Sequence, residues 1–168
     1  RYTLNVHVTD IPAMGFKTYK IKRVRGTNAS SSNPFPLGIA PYKPIGICGN
    51  VLDNGLIRVT ILPNGTMDVY DYASERTYHE LNAFRDIGSC GDFWIHREPF
   101  QNTIISSKAC AAQIELIANS GLLATYRILL TLDIPERLAG SVRSTHKIKT
   151  QIATEATLRK GSKRIDFK

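Results

Sequence analysis

Two carboxylates and two flat rings lie close together near the middle of the sequence. Asp86 and Asp92 flank a glycine-rich segment, and Trp94 and His96 follow it. Carboxylates accept protons from sugar hydroxyl groups, and aromatic rings pack on the apolar face of a sugar. We therefore predict a sugar-contacting surface in which Trp94 stacks and Asp92 and His96 form its polar rim. Trp94 and His96 are two residues apart, so they should share one side of an extended segment.

The same segment also has a purely structural interpretation. Asn82, Asp86, Gly88 and Gly91 are residue types that shape loops, because glycine permits close backbone approach and Asn and Asp bind nearby amides. We interpret these four as structural loop residues. Composition alone favours a rigid loop whose Asp side chains bind their own backbone amides, with Trp94 filling an edge of the core.

Catalytic and metal-binding groups are not predicted in this chain. Glycoside hydrolysis needs two carboxylates about 5–5.5 Å or about 6.5–9.5 Å apart, and nothing in the sequence fixes the distance between Asp86 and Asp92. The four histidines match no metal-ligand spacing, and they are His7, His79, His96 and His146. Motifs for a serine nucleophile or a phosphate-binding glycine loop are also absent.

Alternating apolar residues predict the strands that must position this segment. Leu56–Leu62 and Thr66–Tyr72 each keep a two-residue period, and Pro63-Asn64-Gly65 between them is a tight-turn sequence. Asn102–Leu116 and Leu122–Leu132 form a second predicted hairpin, joined at residues 119–121. We expect this hairpin to break at Asp133–Gly140. Three further strands are predicted at Val142–Thr150, Gln151–Arg159 and Lys163–Lys168.

Helical periodicity is not convincing anywhere, so the predicted class is all-β and antiparallel. Near the start, Tyr2–Thr9 and Phe16–Val24 are predicted strands around a turn. Residues 26–45 are rich in Pro, Ser and Asn, which neither pair nor pack, and this composition predicts a linker. The predicted organisation is one β unit at residues 1–25, that linker, and a second β unit at residues 46–168.

The central segment resembles glycoside hydrolase family 38, the zinc-dependent α-mannosidases. The family pattern has an N-G hairpin and a Tyr-Asp pair, matched here by Asn64-Gly65 and Tyr70-Asp71. The loop pattern N-x-F-x-D-x-G-D-x-G-D-x-Y is matched by Asn82, Phe84, Asp86, Gly88, Gly91 and Asp92. Ser89 stands where the family often has Asp, and Trp94 stands where it often has Tyr. In the family, the aromatic residue similar to Trp94 reaches a sugar held by the neighbouring domain.

Residues 11–19 and 161–167 also resemble segments of this family, in the same order. The resemblance implies a truncated supersandwich of the galactose-mutarotase-like kind, preceded by the last strands of a small β-sandwich domain. It implies that the nucleophile, the acid and the zinc ligands lie in an upstream α/β domain, which no stretch of this chain resembles. We therefore expect mannosides and that upstream domain as partners, no cofactor in this chain, and no activity from it alone.

Charge and cysteine content narrow the remaining function classes. Of the 22 basic and 14 acidic residues, 14 basic and 3 acidic ones lie in residues 1–25 and 143–168. Many of these basic residues alternate with apolar ones, which is typical of a solvated strand face, so no nucleic-acid partner is predicted. No apolar run is long enough to span a membrane.

The three cysteines favour free thiols in a cytosolic protein, although a Cys90–Cys110 bridge stays open.

Three hypotheses follow for the function of the chain. In the first, it is part of a longer α-mannosidase, an expectation that its start at Arg1 and its end in a predicted strand support. It would then provide scaffold and one wall of the sugar site. In the second, it is a stand-alone carbohydrate-binding or adhesion module. In the third, the loop only supports a domain interface.

Overall fold

The computed structural model describes Val6, Val8 and residues 11–20 and 45–168. The chain divides into two compact units, Arg1–Lys43 and Pro44–Lys168. In the first unit the Gly15 amide donates to the Pro12 carbonyl at 3.0 Å and closes the predicted turn.

Residues 16–20 are not in a strand, because no described segment pairs with them. The remainder of Phe16–Val24, most of Tyr2–Thr9 and nearly all of the linker at 26–45 lie outside the described residues. The proposed small sandwich domain and the domain boundaries stay predictions.

The second unit begins with a five-stranded antiparallel sheet whose strands follow one another in chain order. Its strands are β1 (Gly46–Cys48), β2 (Val51–Asp53), β3 (Ile57–Ile61), β4 (Met67–Asp71) and β5 (Arg76–Leu81). The predicted hairpin corresponds to β3 and β4, which pair from Ile57 and Asp71 to Ile61 and Met67. The apolar residues of both strands are buried on one face, as their alternation predicted.

Short elements separate the longer strands of the chain. They are β6 (Arg85–Asp86), β7 (Ile105–Ser106), a 3-10 helix (Ser107–Ala109), β10 (Leu138–Ala139) and β11 (Val142–Arg143). The pairs β6–β7 and β10–β11 are both antiparallel. The predicted first arm of the second hairpin, Asn102–Leu116, therefore contains a short strand and a helical turn before the main strand starts.

The second sheet has four antiparallel strands in the order β13, β12, β9, β8. These are β8 (Gln113–Asn119), β9 (Leu123–Pro135), β12 (Lys147–Arg159) and β13 (Ile165–Phe167). β8 and β9 form the predicted second hairpin, with a bulge between Leu116 and Ala118.

Two predicted boundaries in this sheet were wrong. β9 runs past Asp133 to Pro135, and β12 is one strand rather than two strands divided after Thr150. The cause is pairing along the full length of both strands, from Leu123 with Arg159 to Pro135 with Lys147. Each residue has a cross-strand partner, so the polar composition near Asp133 and Thr150 does not end either strand.

The two sheets pack face to face around one apolar core, so the predicted all-β antiparallel sandwich class is confirmed. Buried side chains from both layers form a single cluster, which includes Tyr126 and Ile128 of β9 together with residues of β3 and β4. The most buried members include Leu52, Val59, Ile61, Met67, Ala124, Ile128, Ala156 and Leu158. Burial of this kind is the main favourable term in folding.

Asparagine side chains anchor two hairpin turns of the first sheet to later parts of the chain. Asn54 Nδ2, in the β2–β3 turn, donates to the carbonyls of Arg159 at 2.8 Å and Ser162 at 2.7 Å. Asn64 Nδ2, in the β3–β4 turn, donates to the Lys108 carbonyl at 3.2 Å. Asn54 therefore ties the first sheet to the end of the longest strand pair of the second sheet, and Asn64 ties it to the 3-10 helix that precedes β8.

Candidate functional site

The segment with the candidate site residues leaves the first sheet through Asn82. This residue has a positive φ of 63°, and its Nδ2 donates to the Gly65 carbonyl at 3.1 Å. Gly65 lies in the β3–β4 turn, where an added Cβ would be 2.8 Å from Ile128 Cγ2. Asn82 therefore attaches the start of the segment to the part of the turn that touches the opposite sheet.

The next residues are anchored by backbone pairing. Arg85 and Asp86 form β6 and pair with β7, so the predicted irregular loop contains a short strand. The Phe84 amide donates to Ser107 Oγ at 2.9 Å, and the Ser107 amide donates to the Phe84 carbonyl at 3.0 Å. Ser107 is fully buried. These bonds give the segment a fixed starting point on the sandwich.

Asp86 makes an ion pair with Arg143 rather than binding its own backbone amides. Arg143 Nη2 donates to Asp86 Oδ2, and Nη1 donates to the Thr103 carbonyl at 2.6 Å. Only 6% of the Arg143 side chain is exposed. Sequence reasoning missed Arg143, because it counted it with the solvated basic residues of 143–168. A single arginine in a short polar strand carries no pattern that separates a buried guanidinium from an exposed one.

Two glycines allow the backbone to approach its surroundings closely. A Cβ on Gly88 would be 2.8 Å from Arg143 Cδ and 2.9 Å from Pro99 Cγ. A Cβ on Gly91 would be 1.7 Å from the Ile95 carbonyl oxygen, closer than real atoms approach. The structural role predicted for these glycines thus has a specific steric basis.

Residues 89–98 form a closed loop, here called the aromatic loop. The Cys90 amide donates to the Arg97 carbonyl at 2.8 Å across its base. Asp92 Oδ1 accepts from the amides of Trp94 and Ile95, each at 2.9 Å. These amides, that of Trp94 first, hold the pKa of Asp92 below its usual value. Asp92 is therefore a carboxylate at neutral pH and orders the loop around it.

The apolar side chains of the aromatic loop point into solvent. Trp94 is 92% exposed and Phe93 is fully exposed, and nearby Phe100 is 86% exposed. Trp94 therefore does not fill an edge of the core. Large apolar groups left in water are informative, since folding normally buries them.

The three residues predicted to contact sugar, Asp92, Trp94 and His96, all lie on this loop and are all exposed. The loop offers ring faces, a carboxylate acceptor and an imidazole. It does not offer the acid of a hydrolytic pair, because a general acid needs a raised pKa and that of Asp92 is lowered. Asp86 is held by Arg143 beneath the loop.

The other groups singled out by the sequence lie elsewhere. His79 Nδ1 is 3.0 Å from Asp68 Oδ2, and His146 Nδ1 is 3.3 Å from Glu136 Oε2. His7 is outside the described residues. Among the described residues, no cluster of three or more His, Cys, Asp or Glu side chains could hold a metal ion.

Cys48, Cys90 and Cys110 are free thiols, so the Cys90–Cys110 bridge that the sequence left open is not formed. No helix in the part of the chain that the structure describes is long and apolar enough to cross a membrane.

The chain folds as an all-β antiparallel sandwich, and comparison with solved structures confirms the predicted resemblance to glycoside hydrolase family 38 proteins. An α-mannosidase from Enterococcus faecalis V583 superposes with a TM-score of 0.65 at 26% identity, over 70% of this chain and 15% of that chain. A family 38 protein from Enterococcus faecalis gives a TM-score of 0.66 at 28% identity, over 70% of this chain and 16% of that one.

A curated relative from Halalkalibacterium halodurans carries the name "Putative mannosylglycerate hydrolase". It is 28% identical over an alignment of 132 residues, and the match covers 68% of this chain and 14% of the relative. No family model matches the chain. The chain thus spans about one seventh of the length of this relative and a similar share of the two solved structures.

Proposed function

We propose that this chain is the scaffold and one wall of a mannoside-binding site in an α-mannosidase-like protein of family 38. The observation that carries the proposal is the exposed indole of Trp94 on a loop that hydrogen bonds hold in one conformation. The names of the relatives support the substrate class, since they include an α-mannosidase and a mannosylglycerate hydrolase.

The chemistry of the loop fits contact with a sugar. An indole packs on the apolar face of a pyranose ring, and a fixed loop reduces the entropy lost on binding. The ionised carboxylate of Asp92 has about four acceptor sites, of which the Trp94 and Ile95 amides use two. The remaining sites can accept from sugar hydroxyl groups. His96 can add a donor or an acceptor.

Bond cleavage is assigned to groups outside this chain. The proposal places the nucleophile, the acid and the zinc ligands in an upstream α/β domain of the same protein, as the family resemblance implies. The purified chain should then release no nitrophenol from 4-nitrophenyl α-mannoside. Hydrolysis that copurifies with the chain and is lost in an Asp92→Asn variant would contradict this assignment.

A chimera tests the contribution of the wall directly. Residues 45–168 would replace the equivalent segment of the Enterococcus faecalis α-mannosidase, and the chimera would be compared with its Trp94→Ala and Tyr78→Ala variants. Tyr78 is the control, because it is a half-exposed ring on β5, outside the aromatic loop. Loss of one stacked ring, worth about 0.5–1.5 kcal/mol, should raise the KM for an α-mannoside roughly two- to tenfold. Equal KM values in both variants would exclude Trp94 from the site.

The second candidate function is a stand-alone carbohydrate-binding module. It is favoured by one specific observation, that the exposed ring and the bonds that order its loop lie within this chain. Trp94 is the only tryptophan, so its fluorescence reports on the loop alone. Saturable quenching or enhancement by methyl α-mannoside at millimolar concentration or below would support the module. An unchanged signal would support the wall, which needs a neighbouring domain to hold the sugar.

A further inference from the structure

Both stems of the aromatic loop meet at one buried side chain. On the incoming stem, Arg143 bonds the Asp86 carboxylate and lies directly against the α-carbon of Gly88. On the outgoing stem it donates to the Thr103 carbonyl, and its methylene groups lie in the same narrow space as Pro99. A single guanidinium therefore contacts the chain before and after the loop.

The backbone around Arg143 strengthens this connection. The Phe100 amide donates to the Ser141 carbonyl at 2.8 Å, and the Arg143 amide donates to the Gln101 carbonyl at 3.4 Å. Gln101 and Val142 form an isolated parallel bridge. The outgoing stem thus lies along β11, the strand that carries Arg143.

The chemistry of the contact makes it hard to replace. Arginine presents donors in a fixed planar fork, so it can bind a carboxylate and a carbonyl in different directions at once. Charge-assisted hydrogen bonds are also stronger than neutral ones, and a nearly buried charge without partners is costly. The ordering bonds within the loop, by contrast, join residues of the loop to one another. They fix its shape but not its orientation on the sandwich.

We propose that Arg143 is a positioning residue, which sets the orientation of the aromatic loop and so the placement of Trp94. The predicted effect of Arg143 on sugar binding rests on the proposed function. Its predicted effect on the orientation of the loop does not. Arg143 touches no substrate in this proposal. It acts by holding Asp86 and Thr103 in place, one on each side of the loop that carries the sugar-contacting ring of Trp94.

The test compares Arg143→Met and Arg143→Lys with Arg127→Met in the full chain. Methionine keeps much of the volume without donors, and lysine keeps the charge without the fork. Arg127 is the matched control, because its ion pair with Glu155 lies on a half-exposed strand face. Amide exchange of residues 89–103 and the fluorescence anisotropy of Trp94 are measured for each variant.

In Arg143→Met we expect amide exchange in residues 89–103 to become about tenfold faster or more and Trp94 anisotropy to fall, with β9 and β12 unchanged. Arg143→Lys should give an intermediate result, and Arg127→Met should match the unmodified chain. If Arg143→Met does not fold, the same measurements are made on Asp86→Asn. This variant removes the charge partner and leaves Arg143 in place. Unchanged exchange and anisotropy in the variant that folds would overturn the proposal.

The chimera separates this inference from the proposed function. If Trp94→Ala leaves KM unchanged while Arg143→Met still makes the loop more mobile, the proposed sugar-binding wall is excluded and the positioning role of Arg143 is supported. If Trp94→Ala raises KM but Arg143→Met changes neither the mobility of the loop nor KM, the positioning role of Arg143 is excluded and the sugar-binding wall is supported. A role of Arg143 in general stability alone would instead alter exchange in β9 and β12 together with the loop.

Discussion

The core of the sandwich and the aromatic loop are ordered by opposite means. In the core, apolar side chains from two sheets bury one another, and Ile128 and Leu158 are completely inaccessible to solvent. In the aromatic loop the apolar side chains are in water, and polar groups provide the order: Asp92 caps two amides, and Arg143 holds both stems.

The difference shows how a β-sandwich can display an aromatic surface. A loop that buried its rings would be stable but could not present them. Here close backbone packing at Gly91, a capping carboxylate and an ion pair beneath the loop replace burial, so Phe93 and Trp94 stay available. The two regions should therefore respond to different perturbations, which the following predictions exploit.

The largest effect is expected in the core. Ile128→Ala removes a fully buried side chain at the contact between the sheets, and the free energy of unfolding should fall by about 2–5 kcal/mol. Urea denaturation followed by far-ultraviolet circular dichroism measures the change. Ile148→Ala is the control, because Ile148 is 45% exposed on β12 and should cost much less. Equal losses in the two variants would show that the core is not where the structure places it.

Two glycine substitutions should separate the regions. Gly65→Ala adds a Cβ 2.8 Å from Ile128 Cγ2 at a φ of 79°, so we expect a loss of about 1–3 kcal/mol in unfolding free energy. Gly91→Ala places a Cβ 1.7 Å from the Ile95 carbonyl oxygen and 3.0 Å from the Arg97 nitrogen, and both atoms belong to the loop. It should speed exchange at the Cys90 amide while the urea midpoint stays close to that of the unmodified chain. A large loss of global stability in Gly91→Ala would contradict the independence of the two regions.

A smaller effect is expected on the loop at acidic pH. The pKa of Asp92 in the folded chain lies below its usual value of 3.8, because the Trp94 and Ile95 amides bind the carboxylate. The group therefore stabilises the ordered loop above the usual aspartate pKa, and this stabilisation is lost as pH falls through the lowered pKa. Trp94 anisotropy should be constant from about pH 8 to about pH 5 and then fall.

Asp92→Asn controls for other titrating groups in this experiment. Its side-chain oxygen can still accept from the two amides but does not titrate in this range, so the acid-dependent part of the anisotropy change should disappear. An identical pH profile in the variant would assign the change to groups other than Asp92.

The smallest effect is expected for Trp94→Ala. The indole is 92% exposed, so the free energy of unfolding should change by no more than about 0.5 kcal/mol. Circular dichroism is the appropriate probe, because the variant has no tryptophan to follow. A loss of about 3–5 kcal/mol, typical of a buried aromatic residue, would instead show that Trp94 fills a core edge.

The sequence predicted the sheets better than the connections between them. The alternation in β3, β4 and β9 identified the buried residues, because a two-residue period allows only one face to be apolar. It could not predict that β9 and β12 pair over their full lengths. Such pairing depends on a partner strand far away in sequence, and local polar residues then no longer mark an end.

The sequence indicated which residue types lie at the candidate site, but not the contacts that hold them in place. Asp92 and the two glycines have local roles that their types and spacing indicate. The partner of Asp86 is 57 positions away, and no local pattern identifies it. For Trp94 the sequence left two environments open, a ring that stacks on a sugar and a filler of a core edge, because residue type alone does not determine exposure. The structure shows the ring exposed on a loop whose two stems meet at Arg143.

Asn54 binds the first sheet to the second, Asn64 binds it to the 3-10 helix, and each is followed by glycine. In Asn-Gly sequences the next backbone nitrogen can attack the side-chain amide, releasing ammonia, and water then opens the ring to an aspartate or isoaspartate. At Asn54 this ageing reaction would replace an NH₂ donor with an oxyanion facing two carbonyl oxygens, which repel it. Stored protein would then lose this contact between its layers through chemistry at one turn, before any apolar contact of the core had changed.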